Sequence, residues 1–167
     1  MNNDIQIRTA TVTDIPLIQE LTLQVWPQTY SHLLSDAQIT YMLDMMYSTT
    51  ALEQQLNNGH LFVIAEQHQQ PVGFASFSTT ETPGIWKLHK LYVIVRQQKT
   101  GAGKALLRHV LDAVRKAGGN QLILQVNRQN ENAIGFYKRM GFYIEQQADF
   151  HIGNNYYMND YVMGIRL

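Results

Sequence analysis

Residues 91–106, Leu-Tyr-Val-Ile-Val-Arg-Gln-Gln-Lys-Thr-Gly-Ala-Gly-Lys-Ala-Leu, read as a buried strand, a short basic loop with two glycines, and the start of a helix. Gly101 and Gly103 lack a Cβ, so the backbone there turns sharply and approaches a ligand closely, and the free N–H groups of the following helix point at whatever sits above them. Lys99 and Lys104 bracket the glycines, while Gln97, Gln98 and Thr100 add donors without bulk. The stretch is an anion site, and the ligand it suits carries phosphates. Two familiar phosphate loops are excluded. A P-loop needs glycine at Gln98 and a hydroxyl at Ala105, and a dinucleotide fingerprint needs glycine at Leu106.

What the stretch does match is Gln98-x-x-Gly101-x-Gly103, preceded by Leu91-Tyr92-Val93 and followed by Asn130-x-x-Ala133-x-x-Phe136-Tyr137-x-x-x-Gly141-Phe142. This pattern resembles the GNAT superfamily of acetyl-CoA-dependent N-acetyltransferases. Among its branches the chain looks most like the PaiA-type polyamine acetyltransferases, on Leu88-His-Lys-Leu-Tyr-Val93, Asn130-Glu-Asn-Ala-Ile134 and Tyr137-Lys-Arg-Met-Gly-Phe142.

The resemblance implies direct acetyl transfer from acetyl-CoA to an amine in a ternary complex. Such a transfer needs a polarised thioester, an uncharged amine and a proton for the departing thiolate. The family's acid falls on Tyr137, a phenol of ordinary pKa ~10 that stays protonated at neutral pH. The other reading of Tyr137 is a core aromatic spaced helically with Ile134 and Met140. A backbone N–H in Leu91-Tyr92-Val93 is expected to polarise the carbonyl. Gln98, Lys99, Thr100, Gly101, Ala102, Gly103 and Lys104 are expected to hold the diphosphate, with Asn130, Asn132 and Arg139 along the rest of CoA. Lys138 and Arg139 equally suit the C-terminal end of a helix.

Many family members carry a glutamate base at the position of Lys87, and protonated lysine cannot serve. His89, two residues on and so on the same strand face, is the expected base, with a water chain as the other route. Trp26, Thr29, Tyr30 and His32 fall in the first inter-helix loop, where the resemblance places acceptor contacts, and Asp36, Asp44 or Glu81 are candidates to pair with a cationic acceptor. A small polyamine is the leading acceptor, against an amino acid, an aminoglycoside or a protein amine. A non-catalytic CoA-binding or regulatory module is the rival from another class, supported by the missing glutamate.

Elements must position these residues. The apolar spacing predicts a strand at Ile5–Arg8, then a helix from Thr13-Asp14 to Trp26 ended by Pro27. A second helix follows from Ser35-Asp36, and a third, capped by Thr49-Thr50, runs from Ala51 to Asn58. Leu61–Glu66, Val72–Ser78 and Trp86–Val95 read as an antiparallel meander. An amphipathic helix then stops at Gly118-Gly119, Gln121–Val126 is a strand, Asn130 or Asn132 caps another helix, Phe142–Ile144 is extended, and the tail is a hairpin turning at Gly153-Asn-Asn155. The expected fold is α/β, of the GNAT type, with a central mixed, mostly antiparallel sheet and about four helices.

With 167 residues, 45% hydrophobic and 16% charged, the chain is expected to form a single domain over 1–167. It has no cysteine, which excludes an acetyl-cysteine intermediate and thiolate metal sites. No metal is expected, because the six histidines show no ligand spacing. Zero net charge and no apolar run near ~20 residues give no nucleic-acid partner and no membrane partner. A small-molecule amine is the expected partner, a homodimer a permitted assembly, and a cytoplasmic location the default. Charge is split along the chain, −7 over residues 1–85 and +7 over residues 86–167, as expected of a first half facing a cationic acceptor and a second half binding a polyanion.

Overall fold

Residues 62–65 and 72–78 are buried on both parities, the pattern of strands covered on both faces, and they lie in the interior of one sheet. The computed structural model describes residues 4–94 and 100–167. Its strands are β1 (Ile5–Thr9), β2 (Leu61–Gln67), β3 (Gln70–Thr79), β4 (Ile85–Val93), β5 (Gln121–Asn127), β6 (Tyr143–Gly153) and β7 (Tyr156–Arg166), in the spatial order β1-β2-β3-β4-β5-β7-β6. Every neighbouring pair is antiparallel except β4–β5. The helices are α1 (Ile15–Tyr30), α2 (Asp36–Tyr47), α3 (Thr49–Asn57), α4 (Ala102–Lys116) and α5 (Glu131–Arg139), so the described residues carry five where about four were expected.

The faces of the sheet are set by strand alternation. Phe74 of β3 meets Tyr47 of α2, whereas Phe77, on the opposite parity, meets Trp86, which lies against the end of α4 at Gly119. One face is therefore covered by α1–α3 and the other by α4. The strongly amphipathic α4 buries Leu106, Leu107, Val110, Leu111 and Val114 against β1–β4.

Two boundaries differ from expectation for physical reasons. Pro27 does not end α1, which continues to Tyr30 with Ser31 N–H donating to the Pro27 carbonyl at 3.1 Å. The bond that Pro27 cannot make would go to the carbonyl of Leu23, a residue 62% exposed, so water is at hand to satisfy it. Buried Trp26 and the ring of Tyr30, 4.6 Å apart between centroids, hold the extra turn. The cap of α3 is Ser48, whose Oγ accepts from Ala51 N–H at 3.1 Å, and Thr49 and Thr50 lie inside the helix. Downstream, the two short extended segments expected at 142–144 and 148–152 merge into the long β6. The hairpin turns on Asn154 and Asn155 at φ of 51° and 61°, the left-handed pair that a two-residue turn requires.

Because Pro27 is an exposed interior helix residue, Pro27→Ala should restore one backbone hydrogen bond. The expected gain is about 1–2 kcal/mol after the lost rigidity of the unfolded chain is allowed for, read as a higher urea midpoint at unchanged slope.

Candidate active site

The sheet opens where the chemistry is expected. Parallel pairing of β4 with β5 runs only from Ile85↔Gln121 to Leu88↔Leu124, although both strands continue. Beyond that point Leu91 and Tyr92 keep β3 on one side and face a cleft on the other. The cleft encloses about 1320 Å³ and runs from the N-terminus of α4, between the parted strands, to the wall made by α1 and α2.

At the α4 end, Gly101 is the N-cap at φ +94°, a conformation that side chains resist, and it aims the first N–H groups of α4 toward the cleft. Gly103 is under less constraint, since an added Cβ would find Phe136 at 3.7 Å, an ordinary contact. Exposed Lys104 lines the cleft, and half-buried Thr100 does not. The side chain of Ala102 is 1% exposed and turned into the core, so its expected role in binding passes to its backbone N–H. Gln98 and Lys99 lie outside the described residues. Asn130 caps α5, accepting from Ala133 N–H at 3.3 Å, and lines the cleft with Asn132 and Arg139.

Tyr137 is brought by α5 to the middle of the cleft. It is 9% exposed, edge-packed against Phe136 and Phe142, and burial with the nearby Tyr30 phenol raises its pKa above the ordinary phenol value. A shift in that direction keeps the phenol protonated at neutral pH. Around it, Tyr30 and Tyr92 share a hydrogen bond of 3.2 Å, and Trp26 packs at tilted and edge-on angles among Tyr30, Tyr47 and Tyr92. Burial likewise holds Tyr30, Tyr47 and Tyr92 protonated. Trp26, Thr29, Tyr30 and His32 all line the cleft, but only His32 lies in the inter-helix loop; the other three are on α1.

Strand β4 carries a bulge. Its register with β3 slips from Ser76↔Lys90 to Phe77↔Leu88, leaving His89 as the extra residue. Strict alternation puts Lys90 opposite His89; the bulge instead brings Lys87, His89, Lys90 and Tyr92 into the one cleft. Lys90 is only 7% exposed, lies 4.8 Å over the Tyr47 ring, and is pushed down to about 8 by burial and by Lys87. His89 lies with Nε2 2.7 Å from Ser78 Oγ and stacks on His60 at 4.2 Å. Burial, then His60, Lys87 and Lys90, lower its pKa to about 3. So lowered, His89 is a weaker base than an ordinary imidazole, and its contacts with Ser78 and His60 make it part of the wall.

The expected electrostatics of the acceptor end are also corrected. None of the eight acids of residues 1–85 lines the cleft, so Asp36, Asp44 and Glu81 are not placed to pair with an acceptor. Asp14 and Glu66 are taken by Arg8. The described lining carries Lys87, Lys90, Lys104 and Arg139 against Glu131 and Asp160. Asp160 was missed by sequence reasoning, although the alternation of β7 gives the signal: exposed Tyr157 and Asn159 put Met158 and Asp160 on the inward parity. Among the described residues no cluster of His, Asp or Glu suits a metal ion, and no helix is long and apolar enough to cross a membrane.

Comparison with known proteins agrees with this architecture. A sequence model of the Acetyltransferase (GNAT) family matches residues 21–142. A probable N-acetyltransferase of Mycobacterium tuberculosis is 30% identical over 150 residues, covering 86% of this chain and 82% of the relative. A spermidine N(1)-acetyltransferase of Thermoplasma acidophilum is 26% identical over 159 residues, covering 91% and 98%. Among solved structures, a PaiA N-acetyltransferase from Thermoplasma acidophilum in complex with coenzyme A has a TM-score of 0.82 at 24% identity, covering 98% of this chain and 99% of its own. At that identity the likeness is one of fold.

Two stability measurements check the geometry. Gly101→Ala, forced to positive φ, should cost roughly 1–2 kcal/mol, while Gly103→Ala should be neutral or slightly stabilising. The second concerns pH. The folded pKa of His89 lies below its unfolded value, so the unfolded chain binds more protons in acid, and stability is full above about pH 6.5 and lost as pH falls toward about 3. His89→Gln removes this loss: wild type minus variant should drop by of order 1–2 kcal/mol between pH 7 and 5, several degrees in Tm.

Proposed function

The chain belongs to the GNAT acetyltransferase family and is an acetyl-CoA-dependent N-acetyltransferase; from that premise we propose that it acetylates a small primary amine in a ternary complex with Tyr137 as the general acid. The observation that carries this reading is the parting of β4 and β5 beside a buried, protonated tyrosine. The cleft suits the cosubstrate. The N-terminus of α4 beyond Gly101, with Lys104, would hold the diphosphate, and the free edge of β4 at Leu91 and Tyr92 would lie along the pantetheine arm. Asn130, Asn132 and Arg139 line the same end. Acetyl-CoA supplies the activated acyl group. Tyr137 holds the proton that the departing sulfur needs, and its aromatic neighbours keep the site dry, which strengthens each hydrogen bond made there.

A small polyamine as acceptor has the support of the spermidine N(1)-acetyltransferase relative. A second reading, an amine that also bears a carboxylate, is favoured by Lys87 and Lys90, two cations inside the acceptor half of the cleft.

Thiol release from acetyl-CoA, measured with spermidine, spermine, putrescine, amino acids and an aminoglycoside, separates these acceptors. Tyr137→Phe should lower kcat at least tenfold, about 1.4 kcal/mol of barrier, at unchanged acetyl-CoA affinity. An unimpaired Tyr137→Phe enzyme would remove the acid assignment, and silence of the wild type on every amine would remove the function.

A further inference from the structure

Asp160 of β7 pairs with Asn127 of β5, and Lys87 of β4 pairs with Ile123 of β5, so strand alternation puts Asp160 and Lys87 on the same face of the sheet, that of α1–α3. Asp160 is 2% exposed and lines the cleft, and among the described residues its Oδ2 meets no hydrogen-bond donor. The cations it senses do not occupy it. Arg128 is bound to Asp149 of β6 at 2.6 Å, and Lys87 makes no ion pair with it. A buried carboxylate oxygen without a donor is expensive unless a ligand supplies one, and the ligand of this half of the cleft is an amine.

We propose that Asp160 receives the acceptor: its Oδ2 accepts a hydrogen bond from the incoming ammonium group and then takes the proton that must leave before the nitrogen attacks. This rests on the acetyltransferase reading. The balance is complete. R–NH3+ gives one proton to the carboxylate, and the free amine forms a C–N bond to the acetyl carbon as the C–S bond breaks. Tyr137 protonates the sulfur, the second proton leaving nitrogen restores the phenol through water, and Asp160 returns its proton to solvent. The products are amide, thiol and one proton.

Burial pushes the Asp160 carboxyl up to about 6, against the pull of Lys87 and Arg128, so it is ionised at neutral pH yet more basic than an ordinary aspartate. The other groups facing this region are Lys90 and His89 on β4 and the Tyr30 phenol on α1. The chemistry applies to a polyamine and to an amino acid alike, since each presents an ammonium group.

The test uses the full chain and the amine turned over fastest by the wild type. Asp160→Asn should lower kcat/KM at least tenfold, keep the Kd for acetyl-CoA within twofold, and lose the decline in kcat/KM that the wild type shows below about pH 6. Asp160→Glu, which keeps a carboxylate, should show a decline displaced along the pH axis and recover part of the rate. A kcat/KM for Asp160→Asn within twofold of wild type, with the acid decline intact, overturns the inference and leaves the acetyltransferase standing. Absence of wild-type turnover on any amine overturns both. If Asp160→Asn fails to bind acetyl-CoA, Asp160→Glu decides: an acid limb displaced along the pH axis supports the role, and one superimposable on the wild type's overturns it.

Discussion

A sheet is held together by continuous pairing, and this one has to stop pairing in its middle. The parting of β4 from β5 after Leu88↔Leu124 is the constraint on which the rest of the structure depends. Backbone groups left without a strand partner must be met by a ligand or by water. Everything near the gap serves to keep it open yet ordered: α4 pins β4 from one face, α1 from the other, and α5 brings Tyr137 to the opening. The unpaired edge is thus a built-in receptor for a chain carrying amides of its own.

The second property of the cleft is that its charges are buried beside aromatic rings. Tyr30, Tyr47, Tyr92 and Tyr137 are held protonated, His89 is held neutral, and Lys90 is weakened as an acid-base cation by the same cause, loss of water. The shifts run in opposite directions for acids and bases because desolvation penalises whichever form is charged. The result is a site whose aromatic middle is rich in hydrogen-bonding groups and uncharged, with the charged side chains of the lining set around it. Asp160 shows the same effect on a carboxylate: burial raises its pKa to about 6, and Lys87 and Arg128 offset part of that rise.

Much of this was legible in the sequence. The glycine-rich turn into α4, the Asn130 cap, the period-two strands and the position of Tyr137 are local signals, carried by residues within a few positions of one another. What escaped was set by tertiary contact. Pro27 is a helix breaker by propensity, and α1 runs past it because Trp26 and Tyr30 have a packing site to fill. A bulge adds one residue to β4 and so brings Lys90 into the same cleft as Lys87 and His89, and a bulge has no local signature here. The charge split between the chain's halves was real in number but uninformative in space, since the early acids sit outside the cleft or on Arg8. The sequence could not show that His89 is buried on His60 and Ser78, contacts that lower its basicity.

The hairpin of β6 and β7 is tied to α2 by two hydrogen bonds, Tyr41 Oη–H to the Ile152 carbonyl at 2.9 Å and Gln38 Nε2–H to the Tyr157 carbonyl at 2.9 Å. These join residues 111 and 119 positions apart in the chain. Closing loops of that length comes late in folding, because the entropy is lost before the contacts repay it. The segment from β4 through α5, by contrast, is contiguous in sequence. The α1–α2 wall of the cleft therefore rests on contacts between distant parts of the chain, and a substitution at the turn of the hairpin, far from the cleft floor, acts on it through those two hydrogen bonds.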